Sequence, residues 1–306
     1  MLAVRRPGSL SRYTPIVRYL DVQRPHSPLE LRPPLRILVV ISQPADCQPL
    51  DLGKERAVIE STWARLQDVE VEFLEAATAE ALGDRLAEKP YHVVHYMGHG
   101  DFDERTGRGV LLMEDGDRQS SPIDGPTLGI LLRDVPTLRL VVLNACETAR
   151  LTKEKGLDPF GGVASSLVMA GIPAVVAMQF PISDDAAIAL GRRFYTVLAR
   201  GEAVDTAMAE GRRAIRTSQP DTLEWGTPVL FMRAADGVIF TIAEAARAEA
   251  EREAETITVG VATVLTLGTL DSPAETDCTL RVGEVRKYVY KTPRTGGLGA
   301  SLEREA

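Results

Sequence analysis

Residues 91–100 read YHVVHYMGHG, and residues 138–148 read LRLVVLNACET. Each stretch opens with an apolar run that predicts a short buried strand. His99 stands just past the end of the first run, and Cys146 just past the end of the second. In an open α/β sheet, ligand-binding and active-site residues lie in the crevice at the carboxyl ends of the strands. The two stretches therefore predict a thiol and an imidazole at one sheet edge.

A thiol and an imidazole at one edge suggest a nucleophile and its base. The thiolate, not the thiol, attacks a carbonyl, and a neighbouring imidazole supplies it. The same imidazole can then protonate a departing amine. The glycine after His99 lets the backbone N–H of Gly100 face a substrate carbonyl, so that it and the N–H of Cys146 can form an oxyanion hole.

The chain alternates strands and helices from residue 35 to residue 233, which predicts an α/β fold with a mostly parallel central sheet and covering helices. A β-hairpin is predicted after His99, with its turn at Asp115-Gly116. The predicted strands are 35–41, 69–74, 91–97, 109–114, 119–123, 138–143, 174–180 and 229–233. The predicted helices are 52–66, 77–88, 126–133, 163–170, 184–199 and 203–217.

Composition changes along the chain divide it into four predicted parts. Residues 1–34 are rich in proline and arginine and form an extended arm with an edge strand near 14–20. Residues 35–240 form the main domain. Residues 241–255 are a charged linker helix whose apolar residues are almost all alanine. Residues 256–306 form a small β-rich extension, with strands near 256–267 and 278–290 and a disordered tail.

The overall composition excludes several classes of protein. A net charge of −8 over 306 residues argues against general nucleic-acid binding. The three cysteines, Cys47, Cys146 and Cys278, are too few and too irregular for a disulfide framework, so we expect a reducing, cytoplasmic location. We see no signal peptide, and no apolar stretch approaches the roughly 20 residues that a membrane span needs.

Several longer stretches together carry a resemblance to a known family. They are YTPIVRYL at 13–20, PPLRILVVIS at 33–42, the two stretches that contain His99 and Cys146, GGVASSLVMAGIPAVVAMQFPISDDAA at 161–187, and WGTPVLFMRAADG at 225–237. Residues 35–240 resemble the CHAT domain, a bacterial branch of the caspase-like cysteine proteases. The resemblance implies the three-layer α/β/α caspase-hemoglobinase fold, with His99 and Cys146 as the catalytic dyad.

Two acidic residues at the same predicted edge have two interpretations. Asp184 and Asp185 follow strand 174–180 and can bind a basic residue before the scissile bond, as in several caspase-like proteases. Alternatively, Ser183 or Asp184 caps helix 184–199. Asp101 and Asp103 can orient the His99 imidazole, although we favour solvated loop residues.

A metal site is a weaker interpretation of the histidines. His95 and His99 are four residues apart, which on a strand is roughly 13 Å and too far to share one ion. We therefore interpret His95 and His92 as packed strand residues.

The leading hypothesis is a cysteine endopeptidase that cleaves a partner protein through an acyl-enzyme. By resemblance it acts in bacterial defence or regulated cell death, with a protein or peptide substrate and an activating partner protein. The chemistry needs no metal and no organic cofactor. The alternative is a caspase-like binding or scaffold module with weak or no proteolytic activity.

Overall fold

The protein is described by a computed structural model that covers residues 10–11, 15–20, 27–50, 52–63, 66, 68–103, 105–147, 159–180, 182–243, 278–281 and 287–290. The chain divides into two compact units, Met1–Ile242 and Ala243–Ala306. The first unit contains the main sheet and its helices. In the second unit, strands Cys278–Arg281 and Lys287–Tyr290 pair antiparallel.

The first unit has eleven strands and six helices within its described residues. The strands are β1 Arg18–Tyr19, β2 Leu29–Leu31, β3 Leu35–Ile41, β4 Val69–Leu74, β5 Val93–Asp103, β6 Arg108–Glu114, β7 Ser120–Asp124, β8 Leu140–Glu147, β9 Ala174–Met178, β10 Pro228–Met232 and β11 Phe240–Ile242. The helices are α1 Leu52–Thr62, α2 Ala79–Glu88, α3 Gly125–Arg133, α4 Pro159–Ala170, α5 Asp184–Leu198 and α6 Val204–Ser218, and a short 3-10 helix covers Glu224–Gly226.

The main sheet has the strand order β1-β10-β9-β8-β5-β3-β4. The five strands from β9 to β4 are mutually parallel, whereas β10 runs antiparallel to β9. The hairpin of β6 and β7 joins the sheet through β6, which pairs antiparallel with the far end of β5. The predicted mostly parallel α/β sheet is therefore confirmed.

Two apolar cores lie on opposite faces of the sheet. One core contains side chains of α1, α5 and α6, and the other contains side chains of α2, α3 and α4. Alternate residues of a central strand enter different cores: Val93 and Met97 of β5 lie in the first, and Val94 and Tyr96 lie in the second. This arrangement is the predicted three-layer α/β/α fold, and it makes the central strands apolar on both faces.

The two strands with the candidate residues are longer than predicted. β5 continues to Asp103 because β6 pairs with it from His99 to Asp103. β8 continues to Glu147 because β5 lies beside it as far as Gly100. The prediction that His99 and Cys146 stand just past strand ends was therefore wrong, since both lie within strands.

The segments outside residues 35–240 are described in part. In the arm, β1 pairs with β10 and β2 pairs with β11, both in parallel. β11 occupies the start of the predicted linker helix 241–255, and residues 244–255 lie outside the described residues. The predicted strand 256–267 also lies outside them, as do the residues of the predicted tail.

Trp63 is packed tightly against a glycine of α5. Its side chain is buried and makes edge-to-face contacts with His95 and Tyr195, at centroid distances of 5.2 and 4.8 Å. A Cβ atom built on Gly191 would lie 2.0 Å from Cζ2 of the indole. The close approach of α1 and α5 therefore requires a glycine at position 191.

We predict opposite effects for alanine at two helical glycines. Gly191→Ala should lower the free energy of unfolding by about 1–3 kcal/mol, because the indole and its neighbours must shift. Gly162→Ala, in α4 where a Cβ meets nothing within 4 Å, should raise it by about 0.5–1 kcal/mol, because alanine favours the helix. Denaturant titration of both variants measures the difference. Equal effects of the two substitutions would contradict this packing.

His92 and His95 are both packed, each 5% exposed; His95 lies within β5 as predicted, whereas His92 lies directly before β5, which begins at Val93. Nδ1 of His92 accepts the backbone N–H of Arg36 at 2.9 Å. Burial, followed by the charges of Arg36 and Arg139, lowers the pKa of His92 to about 4. Nδ1 of His95 lies 2.7 Å from the Tyr195 hydroxyl, and burial lowers the pKa of His95 to about 3. Both imidazoles are therefore neutral in the folded protein at pH 7.

These lowered pKa values predict acid sensitivity. Between the unfolded pKa of about 6.5 and the folded value of about 4 for His92, the unfolded chain binds the extra proton. Stability is therefore lost as the pH falls through this window, by up to about 1.4 kcal/mol per pH unit for one histidine. In His92→Gln, whose amide oxygen can still accept the Arg36 N–H, this part of the slope should disappear. Parallel stability curves for the variant and the parent between pH 6.5 and 4 would rule out His92 as a source of the acid sensitivity.

Candidate active site

The register of β5 and β8 places the two candidate residues side by side. His99 and Cys146 are register partners, as are Met97 and Asn144. Adjacent strands lie about 4.8 Å apart, and register partners occupy the same face of the sheet. The residue positions 95, 97 and 99 of β5 and 142, 144 and 146 of β8 therefore share the face that α1, α5 and α6 cover. His99 and Cys146 form the last row of that face toward the carboxyl edge.

The His99 imidazole has a defined orientation. The residue is 1% exposed, and Nε2 lies 2.8 Å from the backbone carbonyl oxygen of Gln48. A carbonyl oxygen only accepts, so Nε2 carries the proton and donates it. In the neutral ring the lone pair is then on Nδ1, which is buried and has no hydrogen-bond partner among the described residues. The nitrogen available as a base is therefore Nδ1.

The contact of Gln48 with His99 was not predicted from the sequence. It lies in the β3–α1 loop, residues 43–50, between Ile41 and Leu52. The contact uses its main-chain oxygen, so no side-chain type could have indicated it. Only the position of the loop after β3, at the same sheet edge as His99, was open to prediction.

The glycine before His99 is required by close packing. A Cβ atom on Gly98 would lie 2.6 Å from the Tyr96 hydroxyl and 2.7 Å from the Ser42 carbonyl oxygen. The Tyr96 hydroxyl lies 2.9 Å from the carbonyl oxygen of His99 and 2.8 Å from that of Leu112, and its single proton is shared between these two acceptors. These contacts hold the backbone of His99 in place beside β6.

Of the two residues of the predicted oxyanion hole, Gly100 has a strand partner on each side, Leu111 of β6 and Glu147 of β8, and Cys146 has His99 of β5 as its partner on one side. The β5–β8 ladder extends to the pair Gly100 and Glu147, whereas the β8–β9 ladder ends at Leu143 and Ala177. Residues 144–147 therefore have no strand partner on the β9 side among the described residues. A backbone N–H at an unpaired strand edge can bind a ligand oxygen.

Asp184 and Asp185 lie in the first turn of α5. Ser183 is the N-cap, and its hydroxyl accepts the backbone N–H of Ala186 at 3.4 Å. Acidic side chains in a first turn are stabilised by the helix dipole. Asp184 is half-buried, and Asp185 is exposed. Of the two capping candidates, the structure thus gives the role to Ser183.

The acidic residues after His99 accept hydrogen bonds from residues next to them in the chain. The Asp101 carboxylate accepts the backbone N–H of Phe102 at 2.7 Å. The Asp103 carboxylate accepts the backbone N–H of Arg105 and the hydroxyl of Thr106, at 2.9 and 2.7 Å, so it closes the turn that leads to β6. The imidazole donates its hydrogen bond to the Gln48 carbonyl oxygen and not to either aspartate.

A small cavity lies on the same face below the candidate residues. Its lining includes Trp63, His95 and Asn144, and its volume is about 20 Å³, which is room for roughly one water molecule. Nε1 of Trp63 and Nε2 of His95 are buried here without a partner among the described residues. A space of this size does not admit a substrate side chain.

The described residues contain neither a metal-binding cluster nor a membrane-spanning helix. Within the described residues, no cluster of three or more histidine, cysteine or acidic side chains could hold a metal ion. None of the described helices combines the length and the apolar character needed to cross a bilayer.

Comparison with solved structures gives low overall similarity. The chain is similar to separase in two crystal structures of the Saccharomyces cerevisiae separase-securin complex, each with a TM-score of 0.39, at 14% and 13% identity. Each match covers 67% of this chain and 12% of the separase chain. CalE6, a methionine gamma lyase from Micromonospora echinospora, gives a TM-score of 0.25 at 13% identity and covers 61% of this chain and 44% of that one.

Comparison with sequence families is more decisive. No curated protein matches the chain in sequence. Residues 11–257 match the CHAT domain family, which is most of the chain and includes both candidate residues as well as the arm strands β1 and β2. The chain therefore belongs to the CHAT domain family.

Proposed function

We propose that this CHAT domain is a cysteine endopeptidase that uses Cys146 as its nucleophile and His99 as its base. Family membership makes the domain a caspase-like protease or a binding module of the same fold. The observation that favours the protease is the His99 imidazole. It is buried in the row that also holds position 146, its Nε2–H is bound to a carbonyl, and its Nδ1 is left without a partner among the described residues.

A binding module has no need for this arrangement. A buried polar atom without a partner costs free energy, about 1–3 kcal/mol in typical proteins. Such an atom near the carboxyl edge of a parallel sheet is expected where a reacting group or a substrate supplies the missing partner. The Gln48 carbonyl adds a second feature of a catalytic histidine, because it fixes the tautomer that presents a lone pair.

The proposed reaction follows from these roles. Nδ1 of His99 takes the Cys146 thiol proton, and the thiolate attacks the carbonyl carbon of the scissile peptide bond. The backbone N–H groups of Gly100 and Cys146 stabilise the oxyanion. His99 then gives its proton to the departing amine, which leaves the acyl-enzyme. Water, deprotonated by His99, cleaves the thioester and regenerates the thiol.

Labelling with an electrophilic peptide probe tests the dyad. A peptidyl acyloxymethyl ketone should modify Cys146, and the rate should fall by about 10²- to 10⁴-fold in His99→Ala, because the base is lost. His92→Gln, a substitution at another buried histidine seven residues before His99, is the matched control and should label at the parent rate. Labelled peptides are identified by mass spectrometry in a Cys47→Ser background.

The same experiment separates the two functions. Equal labelling of the parent and of His99→Ala would overturn the dyad. If Cys146 resists the probe under all activating conditions while the protein still binds a partner, the domain is a binding module. Activating conditions include the addition of a partner protein, which the family resemblance leads us to expect.

We further propose that Asp185 recognises a basic substrate residue. It is exposed, and it follows β9, the strand next to β8, at the carboxyl edge of the sheet. Ser183 already caps α5, so the carboxylate of Asp185 is not needed as the cap.

The biological role that we propose is cleavage of a partner protein in bacterial defence or regulated cell death, in a reducing cytoplasm where a thiolate nucleophile persists.

Mapping of new N-termini tests this proposal. The protein is mixed with the products of neighbouring genes, and cleaved peptides are sequenced by mass spectrometry. We expect Arg or Lys before the cut. Asp185→Asn should raise KM for a basic substrate by about 10-fold with little change in kcat, because a charge-assisted contact is worth about 1.5–3 kcal/mol. Cleavage after neutral residues, unaffected by Asp185→Asn, would contradict the role of Asp185.

A further inference from the structure

The β3–α1 loop, residues 43–50, connects the His99 imidazole to the β6–β7 hairpin. Near one end of the loop, the Gln48 carbonyl accepts Nε2–H of His99 at 2.8 Å. At the other end, Gln43 and its neighbours form hydrogen bonds with the hairpin. Half of the loop residues are exposed, and the loop contains no helix or strand. The position of the Gln48 carbonyl therefore depends on how the rest of the loop is held.

Glu114 forms the buried attachment. Its side chain is 1% exposed, and its carboxylate accepts the backbone N–H of Gln43 at 2.9 Å and Nε of Arg118 at 3.1 Å. A carboxylate is costly to bury unless donors compensate it. Here one of the two donors is the first residue of the loop. The buried charge thus fixes the point at which the chain leaves β3.

Asp46 forms the outer attachment. Its two carboxylate oxygens accept the backbone N–H of Ser120 at 2.8 Å and the Ser120 hydroxyl at 2.6 Å. The hydroxyl bond, the largest cause, lowers the pKa of Asp46, so the bonds are made by the ionised side chain. The backbone N–H of Ala45 also donates to the Arg118 carbonyl oxygen at 2.7 Å. Two residues before Gln48, the loop is therefore held to the hairpin by three hydrogen bonds.

The hairpin is itself held to the strand that contains His99. Leu112 of β6 is the register partner of His99. The Ser42 hydroxyl donates to the Leu112 carbonyl oxygen at 2.7 Å, and the Ser42 backbone N–H donates to the Met97 carbonyl oxygen at 3.0 Å. Hydrogen bonds thus join the loop to the hairpin, the hairpin to β5, and the loop to the imidazole of His99 in β5.

We propose that Glu114 and Asp46 are positioning residues for His99. They hold the β3–α1 loop against the hairpin so that the Gln48 carbonyl binds Nε2–H and the lone pair stays on Nδ1. The inference rests on the proposed function only for its effect on catalysis. The hydrogen-bond chain from the carboxylates to the imidazole can be tested by itself.

Four variants of the full chain test the proposal, each in a Cys47→Ser, Cys278→Ser background. Glu114→Ala and Asp46→Ala remove the two attachments. Glu114→Gln keeps an oxygen that can accept the Gln43 N–H. Asp117→Ala removes an exposed carboxylate from the turn of the same hairpin and is the matched control. Thermal unfolding is recorded for each variant, and the exposed position of Asp46 keeps the test valid if Glu114→Ala does not fold.

Two readouts are compared. Nuclear magnetic resonance follows the His99 Nε2–H proton, which should exchange slowly with solvent in the parent, in Glu114→Gln and in Asp117→Ala, and should be lost to exchange in the two attachment variants. Iodoacetamide alkylation of Cys146 at pH 7 should be slower by about 10- to 100-fold in the attachment variants, because small displacements of a catalytic group have effects of this size. The other two variants should react within about 2-fold of the parent.

The outcomes distinguish this inference from the proposed function. The positioning role would be overturned if Asp46→Ala and Glu114→Ala fold, keep a slowly exchanging Nε2–H proton, and are alkylated at Cys146 at the same rate as the parent. Loss of the proton in those variants, with a Cys146 thiol that is unreactive even in the parent, would support the positioning role and overturn the protease. Equal losses in Asp117→Ala would show a general effect of the hairpin and would also overturn it.

Discussion

The parallel pairing of β5 with β8 is the constraint on which the candidate site depends. The ladder runs from Val93 and Leu140 to Gly100 and Glu147 without interruption. A shift of the register by one residue would turn every side chain of β8 to the opposite face. Such a shift is opposed by burial on both faces, because Leu140 and Val142 lie in one core and Val141 and Leu143 lie in the other. The cores therefore fix the row that positions 99 and 146 share.

A second constraint orients the imidazole within that row. Packing alone would leave two ways to place the ring, but the Gln48 carbonyl accepts from one nitrogen only. The carbonyl is held by a loop whose attachments lie on the β6–β7 hairpin. The core thus supplies the position of His99, and surface hydrogen bonds supply its orientation. Substitutions that leave the core untouched can still disturb the proposed chemistry.

Much of this arrangement was predictable from local sequence. The apolar runs at 35–41 and 69–74 gave the bounds of β3 and β4 correctly, because both strands are bounded by polar or turn-forming residues. The ends of β5 and β8 were misplaced, since the residues after Met97 and Leu143 are polar or small except for Phe102 and their strand structure comes from pairing with neighbours. Tertiary partners of this kind leave no local pattern.

The polar contacts of the site were the hardest to predict. A backbone carbonyl such as that of Gln48 has no residue-type signature, and neither has a loop attachment such as Asp46 to Ser120, which joins distant parts of the chain. Asp101 and Asp103 were candidates for orienting the imidazole because they are close in sequence, yet they bond to their own neighbours. The dyad was predicted from the resemblance of the two motifs, and that resemblance says nothing about what holds the ring.

A crystal structure of the covalent adduct with a peptidyl ketone would show whether Cys146 and His99 act on one substrate. We expect continuous density from the inhibitor to Sγ of Cys146, with Nδ1 of His99 nearer to the sulfur than Nε2 and with Nε2 on the Gln48 carbonyl. An adduct on another residue would contradict it. So would a Cys146 side chain on the face opposite His99.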